Sequence, residues 1–104
     1  MPDWIDYMKL MREQITALRL KKGVSEHQMS YKLGRSKGYV HNIANGKSTP
    51  SMECFLEICD YFQIDPAAFF MLCGDAYPPN LRQLILCLKD AAPEQIDLLL
   101  STIL

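Results

Sequence analysis

No stretch of this chain approaches the ~20 consecutive apolar residues of a membrane-spanning helix. The opening residues, Met1-Pro2-Asp3-Trp4, are acidic and lack the basic start and apolar run of a signal peptide, so a cytoplasmic chain with no membrane partner is expected. The four cysteines, Cys54, Cys59, Cys73 and Cys87, form no C-x-x-C pair. The two histidines, His27 and His41, are far from them in sequence, which argues against a zinc site. Because Cys54, Cys59 and Cys87 fall inside apolar helical patterns, they read as reduced thiols serving as small core residues. Strand signals are missing: β-branched runs are few and nothing alternates. Catalytic constellations are missing too. There is no Cys/His pair at a working spacing, no glycine loop to cradle phosphate and no paired carboxylates, so neither an enzyme nor a cofactor is expected. Internal repeats and low-complexity tracts are also absent. At 104 residues, one domain with an appendage is the expected size.

Net charge is only −1, but it is unevenly spread. Residues 1–50 hold nine Lys/Arg against four Asp/Glu, and residues 51–104 hold two against eight. A basic half beside an acidic half is the footprint expected of phosphate binding in the first half.

The basic half centres on Ser25 to Gly46, where two short helices fit. Ser25 can cap the first, Met29 and Leu33 share a face, and Gly34 suits a helix end. Ser36 can cap the second, Val40 and Ile43 form its apolar side, and Gly46 ends it. Ser30 is small enough to let the two helices approach. Lys37, His41 and Asn42 fall on the polar side of the second helix. A tight glycine turn between two helices, the second with a polar face, is the pattern of a helix-turn-helix. An ordinary helical hairpin has the same periodicity.

The flanks are helical as well. Residues 3–22 carry the stripe Ile5, Met8, Met11, Ile15 and Leu18, with Asp3 as cap, Lys21 and Lys22 at the negative end, and Gly23 as stop. Trp4 and Tyr7 fall partly off that stripe. They can pack on the C-terminal segment or on a second subunit, or stay on the surface. Beyond Pro50, with Thr49 or Ser51 as cap, a fourth helix carries Met52, Phe55, Ile58, Cys59 and Phe62. Asp65-Pro66 opens a short fifth helix over Ala67 to Cys73, ended by Gly74, with Phe69, Phe70 and Leu72 as its apolar weight. Residues 75–80, with Pro78, Pro79 and an Asn80 cap, read as a stiff linker between residues 1–74 and 81–104. Leu81, Leu84, Ile85 and Leu88 then mark a sixth helix. Ala92-Pro93 opens a seventh, with Ile96, Leu99, Leu100 and Ile103 on one side and Leu98 off it.

These residues resemble the Cro/C1-type helix-turn-helix regulators, also called the xenobiotic-response-element family. The likeness runs from about Ile15 to Phe70. It covers Ile15, Leu18, Arg19, Gly23-Val24-Ser25, Met29-Ser30, Leu33-Gly34, Val40, Ile43, Asn45-Gly46-Lys47, Pro50-Ser51, Phe55, Ile58, Phe62, Ile64 and Phe69. It implies an all-α fold: a five-helix, lambda-repressor-like bundle, here followed by a two-helix hairpin. It also implies that a third helix starting at Ser36 enters the major groove of double-stranded DNA. Lys37, Gly38 and Asn42 would then face base edges, with His41 beside them. Ser36 and Tyr39 would lie against the backbone, and Lys47-Ser48-Thr49 would meet phosphate.

The chain departs from the family at three positions. Gly38 leaves one reading position without a side chain. Glu26 stands where glutamine is frequent near phosphate, and Gln28 is placed to take over that contact. Ala44 stands where many members carry a glutamate that pairs with the arginine at Arg19. Arg19 is left to bond carbonyls, to find Glu13 or Asp60, or to donate to phosphate. The expected function is a sequence-specific, dimeric repressor. The surplus of apolar side chains at Leu81, Leu84, Ile85, Leu88, Ile96, Leu99, Leu100 and Ile103 is expected to form the homodimer contact. The competing reading is an antitoxin or protein-interaction adaptor whose main partner is another protein, such as a toxin or an antirepressor, with DNA binding secondary or lost.

Overall fold

The computed structural model describes residues 3–71 and 78–104. Seven helices and no strand occur among the described residues. The chain divides into two compact units, Met1–Gly74 and Asp75–Leu104.

Helix α1 spans Trp4–Lys22. Its start is fixed by a reciprocal cap: Asp3 Oδ1 accepts from Ile5 N (3.0 Å) and Asp6 N (3.1 Å), while Asp6 Oδ2 accepts from Asp3 N (3.2 Å). Its end carries Arg19, Lys21 and Lys22, and then Gly23 at φ +76°, a left-handed stop that other residues enter at a cost. Met11 and Ile15 are buried, and Met8, Leu10 and Leu18 pack against the core. Ile5, expected on the stripe, is 56 % exposed. It sits in the first turn, before α1 reaches the other helices' buried side chains.

Helix α2 spans Glu26–Lys32 and α3 spans Tyr39–Ala44. Helix α4 spans Met52–Tyr61 and is capped by Ser51, whose Oγ accepts from Cys54 N (3.1 Å). Phe55, Ile58 and Cys59 face inward, Phe62 packs at the edge, and Met52 is exposed. Helix α5 spans Pro66–Met71 and begins where Asp65 Oδ1 accepts from Ala68 N (2.9 Å). Leu72, Cys73 and Gly74, expected to finish α5, lie outside the described residues. Phe69 is fully buried and meets Phe55 edge to face, with ring centres 5.0 Å apart.

One core therefore gathers Met11, Ile15, Met29, Val40, Ile43, Phe55, Ile58, Cys59 and Phe69 from all five helices. Each large side chain removed from water there contributes about 1.5–3 kcal/mol. Of the thiols, only Cys59 takes the core role expected of it. Cys54 is half-exposed and Cys87 exposed. Cys73 is outside the described residues.

The second unit is a pair of helices, α6 over Pro79–Leu88 and α7 over Pro93–Ile103. Helix α6 begins earlier than expected. Pro78 occupies the cap position, and Pro79 and Asn80, expected in the linker, are already helical. Pro79 suits the first helical position because its missing N–H would have no partner there. Asp75, Ala76 and Tyr77 are outside the described residues. Gln95 Oε1 closes the start of α7 on Ala92 N (3.0 Å). No side chain of α6 or α7 is fully buried. Leu81, Leu84, Leu86, Leu98, Leu99, Leu100, Ile103 and Leu104 are exposed, whereas Ile85, Leu88 and Ile96 are half-buried.

Candidate nucleic-acid interface

The geometry of α2 and α3 is set by a serine. Ser30 is fully buried. Its Oγ donates to Glu26 O (2.8 Å) and accepts from Val40 N (3.0 Å). Val40 N is one of the N–H groups that the first turn of a helix leaves without a partner. Ser30 therefore acts as a cap supplied across the turn from the neighbouring helix. Helix α2 is fixed at its other end by a reciprocal cap, Ser25 Oγ to Gln28 N (3.0 Å) and Gln28 Oε1 to Ser25 N (2.8 Å). Gly34 at φ +69° turns the chain, and Arg35 N donates back to Ser30 O (3.0 Å).

Helix α3 is shorter than the sequence implies. It starts at Tyr39, with Gly38 at the cap position and no side-chain cap. Ser36 opens a turn instead, its carbonyl accepting from Tyr39 N (3.1 Å). Because Ser30 already serves Val40 N, Ser36 is not needed as the cap.

Val40 and Ile43 are buried and turn the opposite face of α3 outward. Lys37 and His41 are exposed and Asn42 is half-exposed. Gly38, in the turn before them, leaves open space: a Cβ added there would meet only Asn42 Nδ2, at 3.9 Å. Lys47, Ser48 and Thr49 follow the helix and are exposed. Ser48 N donates to Asn42 O (3.1 Å) and Lys47 N to Asn45 Oδ1 (3.0 Å), which fixes this segment beside the end of α3. Gln28 is exposed on the first turn of α2 with its side-chain oxygen engaged in the cap. Tyr39, expected against a DNA backbone, is half-buried. Its hydroxyl is covered, and burial together with the neighbouring Cys54 thiol pushes its pKa up to about 12. The residues expected to dimerise belong to the other unit.

Two linkages, one through Glu26 and one through Arg35, were not legible in the sequence. Glu26 Oε1 lies 3.1 Å from His41 Nδ1, joining α2 to α3 on the outer face. Arg35 Nη2 reaches from the turn to α4, donating to Glu57 Oε2 (2.9 Å) and to Cys54 Sγ (3.0 Å), with its guanidinium 5.5 Å over the Tyr39 ring. The Ser51 and Tyr39 hydroxyls and the Arg35 guanidinium hold the Cys54 thiol below its usual range. Arg19 takes the carbonyl option, donating to Val24 O (2.9 Å) and stiffening the connection into α2. Among the described residues, no three His, Cys, Asp or Glu side chains converge to hold a metal, and no helix is long and apolar enough to cross a membrane.

A family model described as a helix-turn-helix domain matches residues 10–69, more than half of the chain, from the second turn of α1 into α5. No curated protein and no solved structure matches it.

Proposed function

Because the chain belongs to the helix-turn-helix domain family, we propose that it is a sequence-specific transcriptional regulator of the Cro/C1 type. It acts in the cytoplasm as a dimeric repressor and reads the major groove with α3 and the turn before it. The observation that carries this reading is the Ser30 bridge. It fixes α3 against α2 while Lys37, Gly38, His41 and Asn42 stay open to a ligand.

Each group has chemistry to match. Lys37 donates to guanine O6 and N7, and Asn42 pairs with adenine N6 and N7. Against a carboxylate, His41 Nδ1 carries the ring proton, which leaves Nε2 an acceptor in the neutral ring. Lys47, Ser48 and Thr49 meet phosphate, as does Gln28 through its amide nitrogen. Ser36 lies against the DNA backbone. This function requires no catalysis and no cofactor.

A random-oligonucleotide selection finds the site, and titration of two variants tests the reading. Asn42→Ala costs roughly 1–3 kcal/mol at the selected site and relaxes preference at one base pair. Lys47→Ala weakens all sequences alike and lowers the salt slope by about one ion. Unchanged affinity in both variants sinks the assignment of α3 as the reader.

One observation favours a second reading, an antitoxin or adaptor bound mainly to a toxin or an antirepressor. It is the row of exposed leucines on α6 and α7, which a protein partner could cover. Salt-dependent binding to duplex DNA separates the two, because only the first reading requires it.

A further inference from the structure

The five-helix unit has a concave surface that shares only Gln28 with the proposed reading face. It is a cleft of about 620 Å³ lined by Lys22, Val24, His27, Gln28, Tyr31, Lys32 and Tyr61, where the end of α1, the outer side of α2 and the end of α4 meet. Its volume falls within the roughly 300–1,000 Å³ of small-molecule sites. Its walls are chemically one-sided. Two tyrosine rings supply aromatic faces, two lysines supply positive charge, and no carboxylate lines it.

Tyr31 is 78 % exposed, a large ring with no covering side chain. Lys22 Nζ stands 4.8 Å over the centre of the Tyr61 ring, so its charge is held at the wall. Elsewhere, Lys9 has Glu13 and Arg35 has Glu57. Among the described residues no carboxylate is paired with Lys22 or Lys32.

We infer that this cleft binds a small planar aromatic anion, its ring stacked on Tyr31 and its acid group held by Lys22 and Lys32. Charge complementarity selects an anion. The open face of Tyr31 favours a ring over a bare phosphate, for which cations and N–H donors suffice. An occupant would touch α2 directly, since His27, Gln28, Tyr31 and Lys32 all belong to that helix.

The ligand titrations need no DNA and so stand apart from the reading of α3; one control on the lysine pair uses duplex DNA. The isotope-labelled full chain is titrated with naphthoate, and in parallel with the neutral naphthylmethanol and the non-aromatic cyclohexanecarboxylate. Saturable amide shifts centred on residues 22–32 and Tyr61 are expected, with each control binding about tenfold more weakly. The paired variant Lys22→Gln/Lys32→Gln and the variant Tyr31→Ala each lose about tenfold in naphthoate affinity while keeping the helical circular dichroism. All three side chains are exposed, so their loss leaves the core untouched. The inference is overturned if naphthoate does not saturate, if its shifts centre on residues 81–104, or if the three probes bind equally. It is also overturned if the lysine pair weakens binding to duplex DNA and leaves naphthoate affinity unchanged, because the cations then serve the DNA backbone.

Discussion

Ser30 shows how much one hydroxyl can decide. Replacing it with alanine keeps the small volume that lets α2 and α3 approach, but removes the acceptor of Val40 N. That N–H is buried, and an unsatisfied buried donor costs about 1–3 kcal/mol. Ser30→Ala is therefore expected to lower stability by that amount in urea titration. Ser36→Ala, at an exposed position whose hydroxyl has no bond to lose among the described interactions, changes it by less than about 0.5 kcal/mol. If the two variants behave alike, the cross-turn cap is not what fixes α3. The sequence made the small size at Ser30 readable, but not its bonding. Its acceptor role depends on a residue ten positions away, and no local periodicity encodes that. Arg35 is the same kind of case, since Cys54 and Glu57 lie 19 and 22 residues further on.

Element boundaries were readable wherever the stop or start signal acts within its own helix. Asp3, Ser25 and Ser51 cap the helices they precede, and Gly23, Gly34 and Gly46 turn with positive φ where helical patterns end. The start of α3 was misplaced because its cap comes from another helix. The start of α6 was misplaced because two prolines read as a break, although the second of them begins the helix. Gly38 permits a test at this scale. Its φ of −94° is open to any residue, and a Cβ there meets nothing closer than 3.9 Å. Gly38→Ala is expected to raise stability by about 0.4–1 kcal/mol, because it narrows the unfolded ensemble without straining the fold. Urea titration checks this. A loss of stability instead shows that the backbone needs glycine there. With a gain, any need for glycine lies on the DNA side, and the same variant then changes site preference in a binding selection.

At the scale of the whole chain, the described core closes within residues 11–69. The second unit keeps a row of leucines in solvent. A soluble monomer rarely leaves such a row bare, and a symmetric pair is the usual way to cover it. Two recognition helices about 34 Å apart also fit two half-sites on one face of a duplex. A chain ending at Gly74 is expected to stay folded, to run as a monomer in light scattering, and to bind a palindromic site far more weakly than the full-length chain. A monomeric full-length chain, or a shortened chain that still dimerises, removes the hairpin as the contact. The surplus of apolar residues was legible in the sequence. What covers it was not, because periodicity marks an apolar face without naming the surface it meets.

The clamp from Arg35 to Glu57 also affects the thermodynamics of recognition. Together with Ser30 it ties the turn and α3 to the rest of the bundle before any partner arrives. The ordering cost is met when the chain folds, so little of it remains for association. A titration calorimeter would register that as a small entropic penalty on docking. Cutting the clamp would move the penalty back into the encounter, leaving the contacts the same but making each one harder to form.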